Sequence, residues 1–141
     1  MSATYLLDAN VLIALTNPGH LHHRRAHEWF AAVASWATAP LTESAFLRLM
    51  LNPAVAGRSI PAAEVLGVLR RLRGLPGHRF VADDTSLVTP VIDTVALLGH
   101  RQVTDLHLVN LAASHGLVLA TFDAAIPAAL ASRDRGAVHL V

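Results

Sequence analysis

Of the ten acidic residues in this 141-residue chain, four stand where a carboxylate does chemistry. Asp8 interrupts an apolar run between Leu7 and Val11, where an unpaired charge would be expensive to bury. Asp123 closes a second apolar run, directly after Thr121-Phe122. Both fall at the carboxyl end of an expected parallel strand, the edge at which open α/β sheets place their ligands. Glu43 and Asp105 each follow a threonine, Thr42 and Thr104, expected to cap a helix, so both belong to a first helical turn. Taken singly, Glu43 and Asp105 read as partners of a helix dipole, and Asp123 as either a cap or a ligand. If the helices start where the strands end, the four converge. Neighbouring carboxylates raise one another's pKa and stay ionised together only beside a counter-charge. A divalent cation supplies that charge, and oxygen donors favour Mg2+, with Mn2+ as a substitute, over softer metals. Behind the carboxylates, Asn10 and Thr121 are candidate hydrogen-bonding supports.

Composition removes the competing chemistries. The chain has no cysteine, which excludes disulfides, thiolate metal sites and cysteine nucleophiles. All eleven basic residues are Arg, which excludes Schiff-base chemistry and the phosphate-loop Lys. Hydrophobic residues are 53% and charged residues 15% of the chain, a balance that excludes intrinsic disorder. Mean hydropathy is +0.45, yet the longest stretch free of Arg, Asp and Glu, residues 106–122, is broken by His107, Asn110, His115 and Gly116. No membrane span and no secretory signal are expected, and a cytoplasmic location is. The formal net charge is +1; outside the four carboxylates, eleven Arg face six acids, a modest surplus that suits an RNA substrate.

The elements that must position these residues alternate, and the length suits one domain over residues 1–141. Strands are expected at residues 4–7, 36–40, 79–82, 117–122 and 137–141. Between them, helices are expected at residues 10–15, 20–34, from Thr42 to about Asn52, from Pro61 to Gly74 with a stripe of Val65, Leu66, Leu69 and Leu72, at 87–98, from Thr104 to Gly116, and around Pro127. The run 117–122 is continuously apolar, as in a strand buried on both faces. The pattern predicts an α/β fold of three layers with a mainly parallel central sheet flanked by helices.

Four segments then carry a family resemblance. Leu6-Leu7-Asp8-Ala9-Asn10-Val11-Leu12, Thr42-Glu43-Ser44, Val103-Thr104-Asp105-Leu106-His107-Leu108 and Ala120-Thr121-Phe122-Asp123 resemble, in order and approximate spacing, the four acidic motifs of the PIN domain. Within that group the chain is similar to VapC toxins of bacterial toxin-antitoxin pairs. The resemblance implies a Mg2+- or Mn2+-dependent ribonuclease held inactive by a VapB-type antitoxin, with Asp8, Glu43, Asp105 and Asp123 as catalytic and metal-binding residues. It also implies cleavage of structured transfer or ribosomal RNA loops, leaving 5′-phosphate and 3′-hydroxyl ends. So little surface charge further predicts apolar surface in an interface, and a homodimer is expected.

Other residues invite alternatives. His23 and His27 have the i, i+4 spacing of a zinc pair, but with only Glu28 beside them the segment reads as a solvated helix start. Arg101, four residues before Asp105, is the expected substrate contact. Trp29, Phe30 and Trp36 have spacing more typical of core than of base stacking. Two other functions compete with a nuclease: a catalytically inactive PIN-like interaction module, and an aspartyl-phosphate phosphotransfer domain. The latter ordinarily needs a Lys, which this chain lacks.

Overall fold

The structure, a computed structural model, describes residues 2–141. Five strands form one parallel sheet in the order β3-β2-β1-β4-β5: β1 (Thr4–Leu7), β2 (Ser35–Thr38), β3 (His78–Phe80), β4 (Val118–Thr121) and β5 (Val138–Leu140). Seven α-helices connect them: α1 (Ala9–Thr16), α2 (His23–Phe30), α3 (Pro40–Met50), α4 (Pro53–Ala56), α5 (Ala62–Arg73), α6 (Val103–Ser114) and α7 (Ala125–Ala129). Successive strand residues face opposite ways. Leu6, Ala37 and Leu119 accordingly pack with Leu108, Val109, Leu111 and Ile126 on one side of the sheet. Leu7, Trp36 and Ala120 pack with Val11, Leu15, Phe46, Val65 and Leu69 on the other. Two apolar cores enclosing a parallel sheet make the three layers that the alternation predicts. No helix among the described residues is long and apolar enough to cross a membrane.

Several expected boundaries move for identifiable reasons. Thr42 is not the cap of α3: the helix begins at Pro40, suited to a first turn because it needs no backbone donor, and Ala39 precedes it. The Thr42 hydroxyl instead reaches back to accept from the Ala39 N–H at 3.0 Å. Nor does Thr104 cap α6, which starts at Val103 after a 3-10 turn, His100–Gln102. Pro61 precedes α5 rather than opening it, and Leu66 leaves the expected stripe, being exposed while Val65, Leu69 and Leu72 are buried.

The largest departure is residues 87–98, expected as a helix. Only Thr94–Ala96 forms a 3-10 turn there. Pro90 removes a backbone donor, and side chains claim others. The Val91 N–H donates to buried Asn110 of α6 at 2.9 Å, and the Asp93 N–H to buried Asp134 at 2.8 Å. His107–Asp83 and His115–Asp84, both 2.7 Å, tie the preceding loop to the same helix. The His115 hydrogen bond holds the Asp84 carboxyl below its ordinary value. These ties fasten the irregular connection to α6, the helix that carries Asp105.

Gly77, in the turn just before β3, has φ +84°, and a Cβ there would meet the Ala34 carbonyl oxygen at 2.1 Å. Gly57 has a similar φ of +82° but open space around it. Gly57→Ala is therefore expected to cost about 1 kcal/mol from backbone strain alone. Gly77→Ala should cost roughly 2 kcal/mol more, because strand pairing must also shift. Paired thermal melts check this, and equal losses would refute the close-approach argument.

Candidate active site

Of the four predicted carboxylates at the sheet's carboxyl edge, three, Asp8, Asp105 and Asp123, act on one another. β1 runs beside β4 with Leu7 opposite Ala120, which brings Asp8 level with Thr121. The Asp8 N–H extends the ladder to the Ala120 carbonyl at 3.0 Å. Its carboxylate then caps α1, accepting from the Ala9 N–H at 2.7 Å, and accepts from the Thr121 hydroxyl at 3.0 Å. That hydroxyl in turn accepts from the Asp123 N–H at 3.1 Å, so Thr121 joins the first and fourth acidic positions. Asp123 also accepts from the Ala125 N–H at 2.9 Å, placing a cap's work and a position in the cleft on the same side chain.

Electrostatics report the crowding. The Asp8 carboxyl is pushed above its ordinary value mainly by burial, with Asp123 adding repulsion against the two hydrogen bonds that favour ionisation. Asp105 is raised as well, by burial first and then by Asp8 and Asp123. Asp105 and Asp123 share a cleft of about 300 Å³ with Arg101, Leu98 and Ile126. Arg101, the substrate contact expected from the sequence, is exposed and lines this cleft. Asn10 is exposed and lines a second cleft that also includes Asp123.

Glu43 lies beyond the carboxyl end of β2, on the same edge, but is held by other partners. It lies in the first turn of α3, as expected, but accepts from the Thr38 hydroxyl at 2.6 Å and stands 3.6 Å from the Arg73 guanidinium. His78 completes this group, 2.7 Å from the Thr38 oxygen. Since the hydroxyl proton points to Glu43, the His78 Nε2 is the donor to Thr38. Burial, and then Arg73, push the His78 imidazole below its usual value. Arg73 also lies 4.6 Å over the Phe80 ring. This Thr38–Glu43–Arg73–His78 group has no local sequence signal, because its members come from β2, α3, α5 and β3.

Hard oxygen donors that repel one another suit a divalent cation in chemical type. As the side chains lie, no three carboxylates or imidazoles among the described residues are drawn close enough to hold one ion. The His23–His27 pair has a different task from a solvated helix start. The two rings reach the Ala14 and Leu15 carbonyls, each at 2.7 Å, satisfying the last turn of α1.

A parallel five-stranded sheet with acids at its carboxyl edge is the architecture of a PIN domain, and the chain belongs to the PIN-domain family, matched over residues 5–129. Ribonuclease VapC38 of Mycobacterium tuberculosis is 46% identical over 138 residues, covering 96% of each chain. Ribonuclease VapC39 from the same species is 44% identical over 126 residues, 87% of this chain and 91% of the relative. Within the family, then, this is a VapC-type PIN ribonuclease. Solved structures agree on the fold. M. tuberculosis VapC20, a sarcin-ricin loop cleaving toxin, has a TM-score of 0.60 at 16% identity, with 89% of this chain and 94% of that one covered. PAE2754 from Pyrobaculum aerophilum has a TM-score of 0.57 at 23% identity, covering 96% and 83%.

Proposed function

We propose that the protein is a Mg2+- or Mn2+-dependent endoribonuclease toxin that hydrolyses phosphodiester bonds in structured transfer or ribosomal RNA loops. The observation that carries this reading is that Asp8 and Asp105, at the sheet edge, are both held above the ordinary carboxylate value, by burial first and then by neighbouring carboxylates, Asp123 among them in each case. Asp8, Asp105 and Asp123 would hold the cation, and Glu43 would join them on release from Arg73. A bound cation activates water near neutral pH and offsets charge developing on phosphate oxygens. Thr121 keeps the Asp8 carboxylate oriented, and Asn10 borders the same edge beside Asp123. Arg101, exposed where Asp105 and Asp123 open to solvent, receives a phosphate of the RNA.

A VapB-type antitoxin would close the cleft lined by Leu98, Arg101 and Ile126 and present a basic group to the carboxylates. Exposed Val88, Val91 and Val95 supply apolar surface of the kind that antitoxin binding or a homodimer needs. A cytoplasmic location completes the proposal, since RNA and a co-expressed antitoxin are met there. Purified protein freed of antitoxin is expected to cut loop-containing RNA with Mg2+ or Mn2+ and not with EDTA, leaving 5′-phosphate ends. Equal cutting in EDTA would reject the metal-dependent reading.

A further inference from the structure

The His20–His22 segment belongs neither to the carboxylates nor to α1's last turn, and its rings are arranged for stacking. His22 lies over Phe122 with ring centroids 4.6 Å apart and planes 24° from parallel. His20 stands 6.4 Å from the same ring at 27°. The His20 Nδ1 accepts the His22 N–H at 3.0 Å, so that nitrogen carries no proton. Burial and the nearby His22 and His23 also hold this imidazole below its usual value. The Arg25 guanidinium sits 5.7 Å from the Phe122 centroid while donating to the Val141 carbonyl. Together these make an aromatic platform with one fixed cation beside it.

Its position says what it faces. Asn10, His20, Leu21, His22, Phe122 and Asp123 line one open cleft of about 450 Å³, so the platform and a candidate catalytic carboxylate share a wall. Asp123 is the one lining residue this cleft shares with the cleft that holds Arg101 and Asp105. A chain that crosses Asp123 meets the linings of both clefts, Arg101 in one and the stacked rings in the other. The geometry points to a binding site for one unpaired RNA base, stacked on His22 and Phe122 next to the phosphate to be cut. Every base has a π face, so such a platform tolerates sequence while demanding that the base be unpaired. A double-stranded segment cannot use it, because its bases are already stacked. A loop or single strand is therefore the substrate class selected. The inference rests on the ribonuclease reading only for which bond lies at the carboxylates.

The test separates the two. A short single-stranded RNA carrying one 2-aminopurine, whose fluorescence falls when the base stacks, is titrated in EDTA against wild type, His22→Ala and His22→Phe. His22 contributes backbone to the start of α2 and no side-chain cap, so both variants are expected to fold, which thermal melts verify. Wild type should quench the probe. His22→Ala should bind roughly 5- to 150-fold more weakly with the quench lost, the range that base–aromatic stacking corresponds to. His22→Phe should keep both affinity and quench. Unchanged binding by His22→Ala would overturn the proposal and leave the platform to a protein partner. A His22→Phe variant as impaired as His22→Ala would also overturn it, since the imidazole rather than stacking would then matter. Cutting with Mn2+ is measured on the same proteins: its absence in wild type sinks the ribonuclease reading, whereas intact cutting with an unaffected quench sinks the platform alone.

Discussion

Asp105→Asn should reduce RNA cleavage at least about a hundredfold, equivalent to roughly 2.7 kcal/mol of transition-state stabilisation. The substitution removes a charge while keeping shape at a position whose carboxylate is repelled by both Asp8 and Asp123. If Asp105 helps hold the cation, the variant should also need more Mn2+ for half its maximal rate. RNA affinity in EDTA should hold or tighten, because one negative charge has left the path of the phosphates. Asp84→Asn is the matched control: it too removes an acid, but one that is exposed and pairs with His115. It should cut at close to the wild-type rate. Rate measurements across a Mn2+ titration decide the matter, and retained cutting by Asp105→Asn would remove that residue from the site.

The site was legible where chemistry and chain order coincide. Asp8 and Asp123 end apolar strands, and strands β1 and β4 are neighbours, so two readable local signals become one spatial fact. Asp105 is expected in a first turn after a capping Thr104; α6 begins at Val103 instead, and Asp105 still falls in its first turn. The partnership of Glu43 was not legible, because Arg73 lies thirty positions away on α5 and the Thr38–His78 contact spans adjacent strands. The stacked rings were hidden for the same reason, since Phe122 meets His22 only once β4 and the start of α2 are placed. The false helix at residues 87–98 shows the converse. Its Val88, Val91, Ile92 and Val95 have helical spacing, yet three of the four are exposed, and the Val91 and Asp93 N–H groups donate to the Asn110 and Asp134 side chains instead. Apolar periodicity reports what a segment would bury if it were helical. It carries no information about distant polar side chains that outbid the helix for its N–H groups.

Asp8→Asn, finally, should leave the metal-free protein equally or more heat-stable at neutral pH. Two opposing effects meet at this residue. The Asp8 carboxyl is raised above its ordinary 3.8 by burial and by Asp123, so ionising it costs folding free energy. A folded protein that holds this proton more tightly than the unfolded chain loses stability as pH rises from the unfolded value through the raised folded one. Above the raised folded value the whole penalty is present, and Asn removes it. Against that, the Thr121 hydroxyl already accepts from the Asp123 N–H and now donates to Asp8. An Asn amide oxygen can keep the Ala9 N–H bond only by turning its NH2 toward that hydroxyl, a loss of about 1 kcal/mol. Relief of the buried charge should match or exceed it. Asp8→Ala, which also loses the helix cap, should be less stable than Asp8→Asn by about 1 kcal/mol. The advantage of Asn over Asp should shrink as pH falls through the raised value and vanish below 3.8, where wild-type Asp8 is neutral in both states. Mn2+ should reverse the order, since an ion that binds only the folded site stabilises wild type more than a variant lacking one ligand. Thermal melts in EDTA and in Mn2+ across that pH range read all of these at once. An Asn variant markedly less stable in EDTA, with an undiminished Mn2+ response, would make Asp8 a structural cap and place the cation elsewhere.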